Sequence, residues 1–180
     1  MTKSKYNRWL KTSDSTNLVF RKIGKQYDIL EFQRYEYTPS NINIVSALIK
    51  EQLTTDLISS AVKKKYPSNH KRWNYPYFGC CVPATFSLLY LMNTDKLESV
   101  RGEDYSGEGH YWLRDIDTKK IYDLTLEQFS TSEELEDIYA SGKSKVYYGY
   151  NEMPASRFLK LIQKVQPESI RWRSNTEPNL

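Results

Sequence analysis

The residues that most constrain the fold are 77–91, YFGCCVPATFSLLYL. Proline has no N–H and a fixed φ, so Pro83 fits a helix only in its first turn. A helix is therefore expected to begin just before Pro83, with Cys80 or Cys81 at its head, and to run through the apolar residues 86–92. The small Ala84 and Thr85 would sit about one turn in, where they let a neighbouring sheet approach closely. This apolar run falls well short of the ~20 residues that cross a bilayer, so no membrane span and no membrane partner are expected.

The 180 residues suit one domain with extensions, and 39% hydrophobic and 14% aromatic content is too high for a disordered chain. The first 20 residues are basic without an apolar core, so they do not read as a secretory signal. A cytoplasmic location with reduced thiols is the expectation. The net charge of +4 is unevenly placed, in KSKYNRWLK, KKKYPSNHKRW and IRWRSN. Cations interleaved with rings permit nucleic-acid contact, and equally fit Lys and Arg stems packed on exposed rings.

Along the chain, residues 1–40 read as a polar arm, anchored at most by Trp9 and Leu10, followed by a β-ribbon extension around Gly24 to Gln26. Residues 41–166 read as an α+β domain, and 167–180 as a flexible tail. Thr38 to Asn41 supply a helix start, and Ile42, Val45, Leu48, Ile49 and Leu53 follow at helical spacing. Thr54 or Thr55 is expected to cap a second helix ending at Pro67. After the cysteine helix come three strand-like pieces, LESVRG, GHYWLRDI and KKIYDLT, the last two joined as a hairpin through 117–120. SEELEDIYAS reads as a short exposed helix, KVYYGY is ambiguous, and PASRFLKLIQKV is a final helix with Pro154 near its first turn.

A cysteine at a helix start meets unpaired backbone N–H groups and the positive end of the dipole, both of which favour thiolate. The position of Pro83 favours Cys81 for that place. Of the two histidines, His110 opens a strand facing this helix, where it can take the thiol proton; His70 lies in a loop and is expected to be solvated. Asp123 on the next strand can then orient His110. The bland alternatives are two buried small residues, a satisfied histidine and a turn aspartate. Adjacent cysteines chelate metals poorly and no CxxC or HxxxH accompanies them, so neither metal nor cofactor is expected. A vicinal disulfide is strained and disfavoured in a reducing compartment.

The segment GCCVPAT resembles the nucleophile segment of papain-like and transglutaminase-like proteins. The series GCCVPATFSLLYL, GHYWLRDID, IYDLTLEQF and RFLKLIQKV is similar to the small bacterial YunG family, over roughly residues 44–165. The resemblance implies a papain-like (transglutaminase-like) core, with helices packed on a small antiparallel sheet. It places Cys81, His110 and Asp123 on the family's cysteine, histidine and aspartate, and Gln128 and Phe129 on its closing QF. Where that family commonly has Gln or a similar donor before the cysteine, this chain has Cys80. An oxyanion hole would then draw on the Cys81 N–H with a donor from Asn74, Tyr75 or Tyr77.

The expected function is a thiol-dependent acyl hydrolase or acyl transferase, acting on a protein, peptide or small amide through Cys81, His110 and Asp123. Trp73, Asn74, Tyr77, Cys80, Trp112 and Gln128 are the candidates for contacts with the substrate or its oxyanion. The competing expectation is an inactive scaffold that binds nucleic acid or a partner protein.

Overall fold

The computed structural model describes residues 18–104, 107–145 and 156–176. In chain order, β1 (Leu18–Ile23), β2 (Gln26–Glu31) and the short β3 (Tyr35–Glu36) precede helices α1 (Pro39–Glu51) and α2 (Ser60–Lys65). Helix α3 (Cys81–Leu91) follows, then β4 (Met92–Asn93), β5 (Leu97–Glu103), β6 (Gly109–Asp115) and β7 (Ile121–Tyr122). Helix α4 (Ser132–Ala140), β8 (Lys143–Ser144), α5 (Ser156–Val165) and β9 (Ile170–Ser174) complete the described chain. The class is α+β, with antiparallel sheets in the orders β1-β2-β9 and β7-β6-β5-β8 and one short parallel pair, β3 with β4.

Helix α3 is the hub. Nine of its residues, from Cys81 to Leu91, are buried, so it is apolar all round rather than striped. Helices α1 and α5 pack on it from one side and the β5–β6 hairpin from the other. Thr85 and Ala84 let the sheet come close, and the Thr85 hydroxyl donates to the Tyr111 carbonyl of β6 at 2.9 Å. Leu88 and Leu91 are fully buried in this core. Each such leucine contributes about 1.5–3 kcal/mol, a large share of a domain stability of about 5–15 kcal/mol.

Local chemistry sets the other ends. Thr38 caps α1 by accepting from the Asn41 N–H at 3.1 Å, Pro39 follows in the first turn, and Ile42, Val45 and Ile49 turn inward. The second helix starts later than the sequence suggests. Thr55–Leu57 form a 3₁₀ turn, Ile58 is extended and buried, and Ser59 caps α2 by accepting from the Val62 N–H. Core burial of Leu57 and Ile58 interrupts the helix that the spacing alone predicts.

The C-terminal segment expected as a flexible tail is a strand: Ile170–Ser174 pair with β2 in the register Ile29↔Trp172. Arg171 holds Asp28 in a fork, Nε and Nη2 donating to its two carboxylate oxygens with N···O distances of 2.8 and 2.7 Å. Residues 1–17, the ambiguous 146–150 and Pro154 lie outside the described residues. Among the described residues, no helix is long and apolar enough to cross a membrane.

Candidate functional site

The turn before α3 sets the direction of the two cysteines. Tyr77 and Gly79 have φ of 59° and 74°, and the Cys80 N–H closes the turn on the Tyr77 carbonyl at 2.9 Å. A Cβ at residue 79 would lie 3.0 Å from Ile58 and 3.2 Å from Val62, so both conformation and space require glycine. Cys80 then occupies the N-cap and Cys81 the first helical position, with Pro83 in the first turn. The backbone N–H groups of Cys81 and Val82 fall where an α-helix offers no partner of its own.

The neighbouring thiols end in unlike places. Cys80 turns inward, its sulfur 3.8 Å from the Thr54 carbonyl, and burial, helped by the charge of Cys81, pushes its pKa up to about 12. Cys81 turns to the side of His110, close enough to act on its ring. It also lines a cavity of about 150 Å³ together with His110, Gln128, Phe129, Phe78 and Val82.

Strand β6 carries His110 opposite Gly102 of β5. The β6–β7 register pairs Leu113 with Tyr122, so one further step sets Asp123 opposite Trp112, on the face that carries His110. His110 Nε2 and Asp123 Oδ2 are 2.6 Å apart. The hairpin length that makes this possible is held by Asp115, whose Oδ1 accepts from the Asp117 and Thr118 N–H groups at 3.0 and 2.7 Å.

Every oxygen of Asp123 has a donor. Tyr139 O–H reaches Oδ2 at 3.0 Å, and the Thr125 N–H and hydroxyl reach Oδ1 at 2.9 and 3.2 Å. On the other side of the ring, Gln128 Nε2 lies 3.1 Å from His110 Nδ1, 3.0 Å from the Thr125 carbonyl and 2.9 Å from its hydroxyl oxygen. The carbonyl of Thr125 can only accept, so the amide must present its N–H end here. In neutral His110 the proton therefore sits on Nε2, facing Asp123, and the lone pair on Nδ1 faces the Gln128 amide.

Burial lowers the proton affinity of His110, but the charge and hydrogen bond of Asp123, followed by those of Cys81, more than offset it. The pKa is raised to about 9. Trp112 stacks on the ring at 5.7 Å and Phe129 meets it edge-on at 4.7 Å. Gly102 lets α4 close over this group: a Cβ there would lie 2.2 Å from the Ile138 carbonyl oxygen.

The other candidates are dispersed. Trp73 donates its indole N–H to the Tyr66 and Pro67 carbonyls and packs on Phe78. Asn74 is exposed, and Tyr77 carries the Lys50 ammonium over its ring at 5.3 Å. Trp112 is a buried platform behind His110, and Cys80 is in the core. None of these five walls the Cys81 cavity, whereas Gln128 does. Tyr75 lines a neighbouring cleft of about 320 Å³ that shares Arg72, Asp104 and Gln128 with the first.

Sequence reasoning missed three contributors. Thr125 was readable as the residue two after an aspartate, an ordinary side-chain-to-backbone spacing. Tyr139 lies in a segment that reads as an exposed helix and carries no signal. Arg157 is a cation in the first turn of α5, against the helix dipole, and that anomaly was available.

His70 is half-buried rather than solvated, its Nδ1 accepting from the Arg72 N–H at 3.2 Å. Arg72 itself pairs with Asp104 at 2.8 Å, so part of the basic-aromatic segment is engaged within the fold. No group of three or more potential metal ligands occurs among the described residues.

Chemically, the arrangement offers a thiol at a helix start, a base on one side of it and a fully bonded carboxylate behind the base. Comparison with family models, with curated proteins and with solved structures finds no match to this chain.

Proposed function

We propose that the protein is a thiol acyl hydrolase or acyl transferase, in keeping with the resemblance of its motifs to YunG-like, papain-like and transglutaminase-like proteins. The observation that carries this reading is His110, bonded to Asp123 at 2.6 Å through Nε2 and lining one cavity with Cys81.

His110 takes the Cys81 proton before attack, in keeping with its raised pKa, and the resulting thiolate attacks the carbonyl carbon of an amide or ester. The carbonyl π bond opens to an oxyanion, which the N–H groups of Cys81 and Val82 are placed to receive. The C–N or C–O bond then breaks, and His110 returns the proton to the leaving group. The resulting thioester is attacked by water or by an amine, His110 taking the acceptor's proton and giving it to the departing sulfur. Asp123 steadies the imidazolium in both halves without itself being protonated.

The test is labelling of the native protein with a neutral thiol electrophile followed by peptide mapping. Cys81 should react ahead of Cys80, and His110→Ala should slow it. Equal, slow reaction of both cysteines would sink the proposal. A binding role draws on the exposed Ile170 and Trp172, with Arg171 and Arg173 on the same strand. In that case Cys81→Ala would leave function intact.

A further inference from the structure

Resting on that reading, we infer that the acyl donor carries a carboxylate near its scissile carbonyl and that Arg157 receives it. Arg72, Asp104, Glu108 and Arg157 all line it. Arg72 is neutralised by Asp104 at 2.8 Å, and Glu108 is paired with Lys65. Arg157 has no carboxylate partner among the described residues. Among the described residues it donates from Nη1 to the Leu57 carbonyl at 3.1 Å, a neutral acceptor that fixes the side chain and leaves most of its five donors uncommitted there.

Position strengthens the case. Arg157 is the second residue of α5, where the dipole disfavours a cation. The cavity also receives the N-terminal end of α3 through Cys81 and Val82. The first turn of α3 and a guanidinium without a carboxylate partner among the described residues thus line one small space, and the component that complements them is an anion. Guanidinium geometry matches a carboxylate in two parallel bonds. A volume of about 150 Å³ holds roughly five waters, which limits the bound group to a short chain. An amide or ester whose carboxylate lies a few bonds from the scissile carbonyl has that size and charge.

The test uses two alkylating reagents of nearly equal size, iodoacetate and iodoacetamide, on the intact protein and on R157Q and R157K, with Cys81 followed by peptide mass spectrometry. In the wild type, iodoacetate should label Cys81 with saturation kinetics. In R157Q the iodoacetate-to-iodoacetamide rate ratio should fall about tenfold, the size of one lost charge-assisted contact. R157K should retain part of the preference. Glutarate should protect Cys81 from iodoacetamide in the wild type but not in R157Q.

An unchanged ratio in R157Q, with the iodoacetamide rate intact, overturns the role of Arg157 while leaving the thiol reading in place. Failure of iodoacetamide to label wild-type Cys81 overturns both. Should R157Q not fold, R157K and the glutarate protection of the wild type decide: full retention of the ratio together with no protection overturns the inference.

Discussion

Cys80 and Cys81 are adjacent in sequence and opposite in circumstance. The first points into the core against a carbonyl, and burial holds its proton to about pH 12. The second is one step further round the helix start and meets a buried histidine. Composition and type are the same, so the difference in chemistry comes from direction alone, and Gly79 and Pro83 set that direction. The turn that delivers each side chain sets which of the two thiols points into the core and which lines the cavity.

The largest effect that can break this contrast is on turnover. With an activated ester as acyl donor, Cys81→Ala should lower the rate by about 10³-fold or more, the usual cost of deleting a covalent nucleophile, while Cys80→Ala should leave it within a fewfold. Comparable losses in both variants would erase the distinction.

Next in size is alkylation at pH 8. Four units below a pKa of about 12, only about one Cys80 in 10⁴ is thiolate. Cys81 should therefore react on the order of a hundredfold faster in native protein, and the two should converge in urea.

The pH dependence follows from His110. Its folded pKa, about 9, lies above the ordinary 6.5. The stability this contributes is complete below about pH 6.5 and is lost as pH rises through about 9. Urea midpoints measured across pH 6–10 should fall in that window for the wild type and flatten there for His110→Gln.

A smaller effect concerns Cys80 alone. Replacing it with Gln, the residue type that the motif resemblance expects before the nucleophile, inserts a bulkier polar group where 2% of the surface is open. It should cost about 1–3 kcal/mol in urea unfolding. The smallest effect is at Gln128. Its N–H favours the unprotonated Nδ1, so Gln128→Leu should raise the His110 pKa by up to about one unit, visible in an NMR titration of the ring.

Much of the scaffold around the site was legible in the sequence because single residues impose it. Pro83 fixes the start of α3, Thr38 with Pro39 fixes that of α1, and the order GHYW then YDLT announces a hairpin that brings an aspartate to a histidine. What escaped was set by distant neighbours. Tyr139 looks like a surface residue until Gly102 lets α4 descend onto β5. The break at Ile58 arises because that side chain packs against the turn at Gly79. Strand β9 shows no alternation, since 170–173 are all exposed, and it becomes a strand only because β2 presents an edge.

That last pairing has a temporal side. Asp28 and Arg171 are 143 positions apart in the chain, and the rest of the β2–β9 ladder spans similar lengths. During synthesis at about 5–20 residues per second, β2 leaves the ribosome several seconds or more before its second neighbour exists. The β1–β2 ribbon must wait with one edge open while the helices and the larger sheet assemble. The three-stranded sheet can therefore close only once residues 170–174 have been made, and its open edge is where a stalled or shortened chain would offer its backbone to another molecule.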